Sequence, residues 1–252
     1  MATIAVGDIH GNLPALTDVL NQLRPEVGVR DVVVFLGDYI DRGRDSKACV
    51  EAILSFRTEV SAQVVCLRGN HEDWLLRTLM DYSRHSWLVG MEAFDTIRSY
   101  SPEAVNVLRE ACGEAGVQLF IGQCVLPYEL FFNSMPPAHR TFFLELQRCF
   151  QSPDCICTHA GLNPSVKRLE DQSSECLIWG HDDFPNGYNG DATVVYGHWD
   201  NADTDSAGWP KPRIVGRTIG IDTISHGVLT AVRMPDQRVF QSRRYKTTAL
   251  GV

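Results

Sequence analysis

A mixed α/β fold is predicted for this 252-residue chain from three features of its patterning. Five short β-branched runs read as buried strands, helical apolar stripes separate the first three of them, and the last third of the chain returns to strands. Apolar residues make up 44% and charged residues 21%, ordinary usage that supplies a sizeable buried core. Length admits one or two domains, and a single domain over 1–252 is the simpler expectation.

The five strands fall at 3–6, 32–36, 63–67, 155–158 and 193–196. Between the first two, residues 14–23 place Leu16, Val19, Leu20 and Leu23 on one helical face. Between the second and third, 46–56 does the same with Ala48, Val50, Ile53 and Leu54. A β-α-β-α-β opening favours parallel strands joined by right-handed crossovers. From 73 to about 150 the pattern turns helical, with helices expected at 74–80, 91–99, 102–114 and 137–150, and reads as a helical insert. Strands resume at 217–221, 228–233 and 238–243, the last two joined by a Pro235-Asp236 turn, which gives an antiparallel C-terminal portion. Residues 201–217, with Gly208, Pro210, Pro212 and Gly216, read as a surface excursion.

Twenty-three Lys and Arg against 31 Asp and Glu give a formal charge of −8, which opposes a nucleic-acid backbone at long range. An anionic substrate then needs locally positive charge, which bound metal ions would supply. No run approaches the ~20 apolar residues of a membrane span, and no export leader opens the chain, so a cytoplasmic protein is expected. The eight cysteines form no CxxC pair and are expected as reduced thiols. Cys155 and Cys157 would share one strand face as core packing.

Metal-capable side chains follow each of the five strands. They lie in Gly7-Asp8-Ile9-His10-Gly11, Gly37-Asp38-Tyr39-Ile40-Asp41-Arg42-Gly43, Arg68-Gly69-Asn70-His71-Glu72, His159-Ala160-Gly161 and Gly197-His198. Ligands of α/β sheets bind beyond the carboxyl ends of strands, so these loops would converge on one edge. Taken alone, Asp8 or Asp38 would pass as a helix cap or turn former; together with three histidines they predict a dinuclear centre. Oxygen and imidazole donors without thiolate suit manganese, iron or zinc, and two ions ~3.5–4 Å apart need a bridging carboxylate.

The ordered GDxHG, GDxxDRG and GNHE motifs at 7–11, 37–43 and 69–72, followed by HAG and GH, resemble the phosphoprotein phosphatases of the metallophosphoesterase superfamily. The likeness runs over nearly the whole chain and is closest to the phage and bacterial branch. It implies a β-sandwich of two mixed sheets flanked by helices. It also implies that Asp8, His10 and Asp38 hold one of two divalent ions, that Asp38 bridges, and that Asn70, His159 and His198 complete the second; Mn²⁺ is the first expectation, with iron or zinc as alternatives. His71 would protonate the leaving group, oriented by Asp41, while Arg42 clamps the phosphoryl oxygens. Histidine titrates near neutral pH and arginine presents a planar fork to phosphate, so both assignments agree with elementary chemistry.

The expected activity is hydrolysis of a phosphoserine or phosphothreonine protein, with phosphotyrosine as a further substrate, by direct attack of a metal-bridging hydroxide. The alternatives are a dinucleoside polyphosphate hydrolase, such as one cleaving diadenosine tetraphosphate, and a metal-binding module that recognises a phosphorylated partner without turnover. Two departures from the family bear on this choice. Trp179-Gly180-His181-Asp182 replaces a stretch whose Arg grips phosphate in relatives, leaving His181, Arg213 or Arg217 to substitute. Trp199-Asp200 follows His198 where relatives have Thr-Pro. His226 is a candidate supporting residue, and His85 and His139 are expected to be structural. The Arg238, Arg243, Arg244 and Lys246 group reads as a solvated strand edge.

Overall fold

A computed structural model describes residues 1–122 and 124–245; Lys246 of the basic group lies outside them. The chain opens as expected, with β1 (Thr3–Val6), α1 (Leu13–Leu23), β2 (Val32–Phe35), α2 (Ser46–Glu59) and β3 (Gln63–Cys66). β1, β2 and β3 pair in parallel, Val6 standing opposite Phe35 and Phe35 opposite Cys66, so their carboxyl ends finish level. The insert contributes α3 (Asn70–Met80), α4 (Ser86–Gly90), α5 (Phe94–Tyr100), α6 (Pro102–Ala115), α7 (Gln118–Ile121), α8 (Glu129–Phe132) and α9 (Pro137–Leu144).

The rest of the chain forms β4 (Cys149–Gln151), β5 (Ile156–Thr158), α10 (Ser174–Trp179), β6 (Val194–Tyr196), β7 (Ala202–Thr204), β8 (Pro210–Val215), β9 (Thr218–Gly220), β10 (Thr230–Met234) and β11 (Arg238–Gln241). Two mixed sheets result, ordered β11-β10-β1-β2-β3 and β4-β5-β6-β9-β8-β7.

Strand alternation gives each sheet two buried faces. Ala5, Val34, Val65, Cys157, Val195, Ile219 and Val232 point between the sheets. From the first sheet Ile4, Val6, Val33 and Phe35 point outward, beneath α1, α2 and the insert. Ile156 and Val194 of the second sheet pack on Leu177 and Ile178 of α10. Cys155 and Cys157 therefore belong to the inter-sheet core, their sulfurs 3.8 Å apart as free thiols.

Two sequence expectations fail. The helix expected over 137–150 stops at Leu144, and Cys149–Gln151 instead pairs antiparallel with β5. Gln147 already bridges Leu67, so the chain is committed to strand geometry there, and β4 covers what would be a bare edge. The 201–217 excursion also contains a two-stranded ribbon. Pro210 and Pro212 lie in the stretch of β8 paired with β7, while Arg213, Ile214 and Val215 make the inner ladder with β9. Prolines that would break a central strand are tolerated toward the sheet edge.

Among the described residues no helix is long and apolar enough to cross a membrane. The C-terminal basic residues are engaged: Arg238 bonds Glu26, Arg243 bonds Asp18, and Arg244 covers the Trp209 ring.

Candidate metal centre

The loops leaving β1, β2, β3, β5 and β6 carry Asp8 with His10, Asp38 with Asp41, Asn70 with His71, His159, and His198 to one buried cluster. Asp38 is its middle. One oxygen, Oδ2, lies 3.5 Å from His10 Nε2 and 3.8 Å from His71 Nε2, while Oδ1 lies 3.5 Å from His159 Nε2. Two sets of donors thus share Asp38, one with His10 and His71 and the other with His159 and His198.

The imidazoles are oriented by their far nitrogens. His10 Nδ1 contacts the Ile40 carbonyl and His159 Nδ1 the Leu36 carbonyl, each at 3.0 Å. A carbonyl only accepts, so both Nδ1 atoms carry the proton and both Nε2 atoms present a lone pair inward, as metal-ligating histidines require. His159 Nε2 then faces Asn70 Oδ1 at 3.0 Å, two lone pairs that a shared cation reconciles. Asp8 Oδ1, His71 Nε2 and His198 Nε2 are buried without any hydrogen-bond partner. Unpaired buried polar atoms are costly; Asp8 Oδ1 and His198 Nε2, both potential donors to a cation, fit a metal centre, and His71 Nε2 is left free to act on a bound group.

The backbone supports the same reading. His10, Asp38, Asp41, Arg42 and His198 all have left-handed φ between 44° and 67°, a conformation that costs non-glycine residues free energy and gathers at functional sites. A Cβ on Gly69 would stand 2.1 Å from Asp38 Oδ1, and one on Gly197 would stand 2.0 Å from Asp8 Oδ1. Only glycine lets both carboxylates reach their places.

Glu72, in the GNHE motif but given no role by the sequence reading, gathers these loops. Its Oε2 accepts the N–H groups of Asp38 and Gly69, and its Oε1 accepts that of Tyr39. Burial, then Asp38, pushes the Glu72 carboxyl up to about 8. Asp222, at the end of β9, is pushed up to about 6 by burial and then by Asp38. Asp8 is raised by burial, by Asp222 and by Asp38. Carboxylates crowded this closely are relieved by added positive charge.

His71 and Asp41 form a dyad, Nδ1 to Oδ2 at 2.8 Å. Burial opposes a charged His71 ring, but Asp38 and Asp41 outweigh it and hold its pKa above that of an ordinary histidine. Asp41 is in turn held by residues that sequence reasoning missed. Trp87 Nε1 donates to Oδ2 at 2.9 Å and Thr96 Oγ1 donates to Oδ1 at 2.6 Å, both from the insert. Trp87→Phe keeps an aromatic filling and removes one donor. It should cost roughly 1–3 kcal/mol in denaturant unfolding and lower kcat, and an unchanged unfolding midpoint would refute the role given to the bond.

Arg42 is exposed at the rim, and its positive charge acts on Asp8, His10, His71, His159 and His198. His181 is not drawn into the cluster by any bond: its Nδ1 accepts the N–H of Asp183 in its own turn. The charge of Arg213 acts on Tyr196 and that of Arg217 on Tyr188. His226 Nε2 lies 3.1 Å from Asp200 Oδ1, and the Asp200 N–H donates to Asp222. His85 bonds Tyr128, and His139 bonds Tyr100 and Glu51, all away from the cluster.

Two packed mixed sheets with a buried Asp, Asn and His cluster at their strand ends have the architecture of a metallophosphoesterase. The chain belongs to the calcineurin-like phosphoesterase family, whose model matches residues 1–227.

The asymmetrical bis(5'-nucleosyl)-tetraphosphatase PrpE of Oceanobacillus iheyensis is 26% identical over 92% of this chain and 88% of its own length. A zinc-dependent endopolyphosphatase of Saccharomyces cerevisiae is 25% identical over 64% of the chain, which spans about half, 47%, of that protein. Serine/threonine-protein phosphatase PP1-1 of the same yeast is 37% identical, but over 68 residues, 26% of this chain and 21% of that protein. A crystal structure of a proposed diadenosine tetraphosphatase superposes with a TM-score of 0.61 at 18% identity, over 97% of this chain and 94% of the other, a likeness of fold. In sequence, the kinship with protein phosphatases expected from the motifs is thus a matter of short segments, while the tetraphosphatase PrpE aligns over nearly its full length; a cold-active protein tyrosine phosphatase shares the fold, with a TM-score of 0.56 at 11% identity over 95% of this chain and 77% of the other.

Proposed function

We propose that the chain hydrolyses dinucleoside polyphosphates, cleaving bis(5'-nucleosyl) tetraphosphates, with two divalent ions held by Asp8, His10, Asp38, Asn70, His159 and His198. The observation that carries the hydrolytic reading is Asp38, whose two oxygens face two separate sets of imidazoles. The substrate class rests on the PrpE relative, which aligns over nearly its whole length, and on His181 standing where protein phosphatases place a gripping arginine.

Two bound divalent ions activate a water and neutralise phosphoryl oxygens. The chain's own residues do the rest. Arg42 presents its guanidinium to the phosphoryl group from the rim. Asp41 accepts from His71 Nδ1 and keeps the ring protonated and aimed. The water gives one proton to solvent as its oxygen bonds to phosphorus, the bond to the leaving oxygen breaks, and His71 Nε2 passes its proton to that oxygen and regains one from solvent.

The intact GDxHG, GDxxDRG and GNHE motifs, together with the short PP1-1 match, favour a second reading as a protein serine/threonine phosphatase. One experiment separates the two. The protein is stripped by a chelator, reconstituted singly with Mn²⁺, Fe²⁺ or Zn²⁺, and assayed on diadenosine tetraphosphate and a phosphoserine peptide. Activity should vanish on chelation and return with metal, and kcat/KM for the tetraphosphate should exceed that for the peptide at least tenfold, about 1.4 kcal/mol of discrimination. The reverse order would restore the phosphatase reading. Turnover that survives complete metal removal would sink both.

A further inference from the structure

Trp199 follows His198 and is 72% exposed. An indole normally buries its ring and places its N–H on a partner. Trp87, Trp179 and Trp209 donate theirs to Asp41, Asp73 and Gln241, and Trp74, without such a bond among the described residues, still packs its ring on Trp179. Trp199 makes no side-chain hydrogen bond among the described residues, and its ring lies 4.9 Å from that of His198, tilted by 30°. A single exposed aromatic is ordinary by itself; what sets Trp199 apart is its place next to His198, at the lip of the buried polar cluster.

The segment is held in place by its backbone. His198, Trp199 and Asp200 carry φ of 61°, 57° and 50°, three successive left-handed residues, none of them glycine. They are pinned by the Asp200 N–H donating to Asp222, and by Asn201 Nδ2 donating to the carbonyls of Gly197 and His198. The position of Trp199 relative to His198 is therefore built in, with one side of the indole beside the imidazole and the rest open to solvent.

Charge says what the open side receives. The protein carries −8 overall, so a polyphosphate approaches against its long-range field. His181 stays in its own turn. Arg42 and bound ions would hold phosphates whatever is attached to them, so a preference for a nucleotide over an inorganic polyphosphate needs contact with a part other than phosphate, and a nucleobase offers a π-face that stacks on tryptophan without regard to charge.

We propose that Trp199 is the platform on which one base of the dinucleoside polyphosphate stacks, placing the adjoining phosphates beside His198. This rests on the substrate class proposed above.

ATP and inorganic tripolyphosphate share a triphosphate and differ by the nucleoside, so their relative affinity isolates the base. Both are measured on the metal-loaded enzyme as competitive inhibitors of p-nitrophenyl phosphate hydrolysis, and by quenching of tryptophan fluorescence. Trp199→Ala should reduce the preference for ATP over tripolyphosphate about five- to fiftyfold. Trp199→Phe, which keeps a stacking face, should hold it within about threefold. ATP, but not tripolyphosphate, should quench wild-type fluorescence, and the quench should be lost in Trp199→Phe.

An unchanged preference, or an equal loss for both inhibitors as expected of a side chain that only props His198, would overturn the platform. Diadenosine tetraphosphate left intact by the wild type would instead overturn the substrate reading, and the inhibitor ratio would still decide whether Trp199 receives a base.

Discussion

Asp38→Asn is expected to reduce turnover about a thousandfold or more and to bring bound metal below two ions per chain. The substitution is nearly isosteric. Asn keeps an acceptor for the His71 N–H, which Asp38 Oδ1 receives at 3.2 Å, and the backbone bond from Asp38 to Glu72 does not involve the side chain. Folding should therefore survive, and circular dichroism would check it. What is lost is the charge that lies between His10 on one side and His159 on the other. Charge stabilisation by a metal pair is worth several kcal/mol in the transition state, and each 1.36 kcal/mol is a factor of ten in rate. Elemental analysis together with kcat on diadenosine tetraphosphate tests this. A variant that retains two ions and more than a tenth of the wild-type turnover would remove Asp38 from the bridging role.

The second large effect concerns His71 and depends on the leaving group. His71→Asn removes the proton that Nε2 would deliver, along with the ring that bonds Asp41. General acid catalysis contributes typically 10²–10⁴-fold, and the full factor is felt only when the departing oxygen is strongly basic. An alkyl phosphate, losing an alkoxide, should fall by about that factor, whereas p-nitrophenyl phosphate should fall far less. A dinucleoside tetraphosphate expels a phosphate oxygen, a much weaker base than an alkoxide, and should sit near the aryl ester. Equal losses on all three would take the acid role away from His71 and leave it a structural partner of Asp41 and Asp38.

Much of the candidate centre could be read from residue order because each side chain able to hold a metal sits at a strand end. A run such as Val32 to Phe35 announces its own strand, and Gly37-Asp38 announces where that strand stops. Parallel pairing then levels the ends of β1, β2 and β3 without further information. The helical insert was equally visible as a change of period. What it does was not. Trp87 and Thr96 bond Asp41 across 46 and 55 positions of chain, and nothing about a tryptophan in an amphipathic stretch tells that its N–H will end on a catalytic-type carboxylate.

The same limit explains the misplaced elements. Cys149–Gln151 and Pro210–Val215 become strands because β5 and β9 present open edges to them, an inducement supplied by distant chain. Trp199 illustrates the division most sharply. Sequence alone put an aromatic after His198; whether it was core or contact depended on exposure and on three left-handed residues held by Asp222 and Asn201.

Residue order by itself determined the family-type motifs, the candidate donors and the strands that deliver them, since each rests on local periodicity and short-range turn chemistry. Tertiary structure alone decided which side chains orient Asp41, which loops Glu72 ties together, how the sheet edges are covered and that Trp199 faces solvent. Hydrogen-bond partners, edge pairing and burial are set by what folds alongside a residue, and that neighbour is usually far away in the chain.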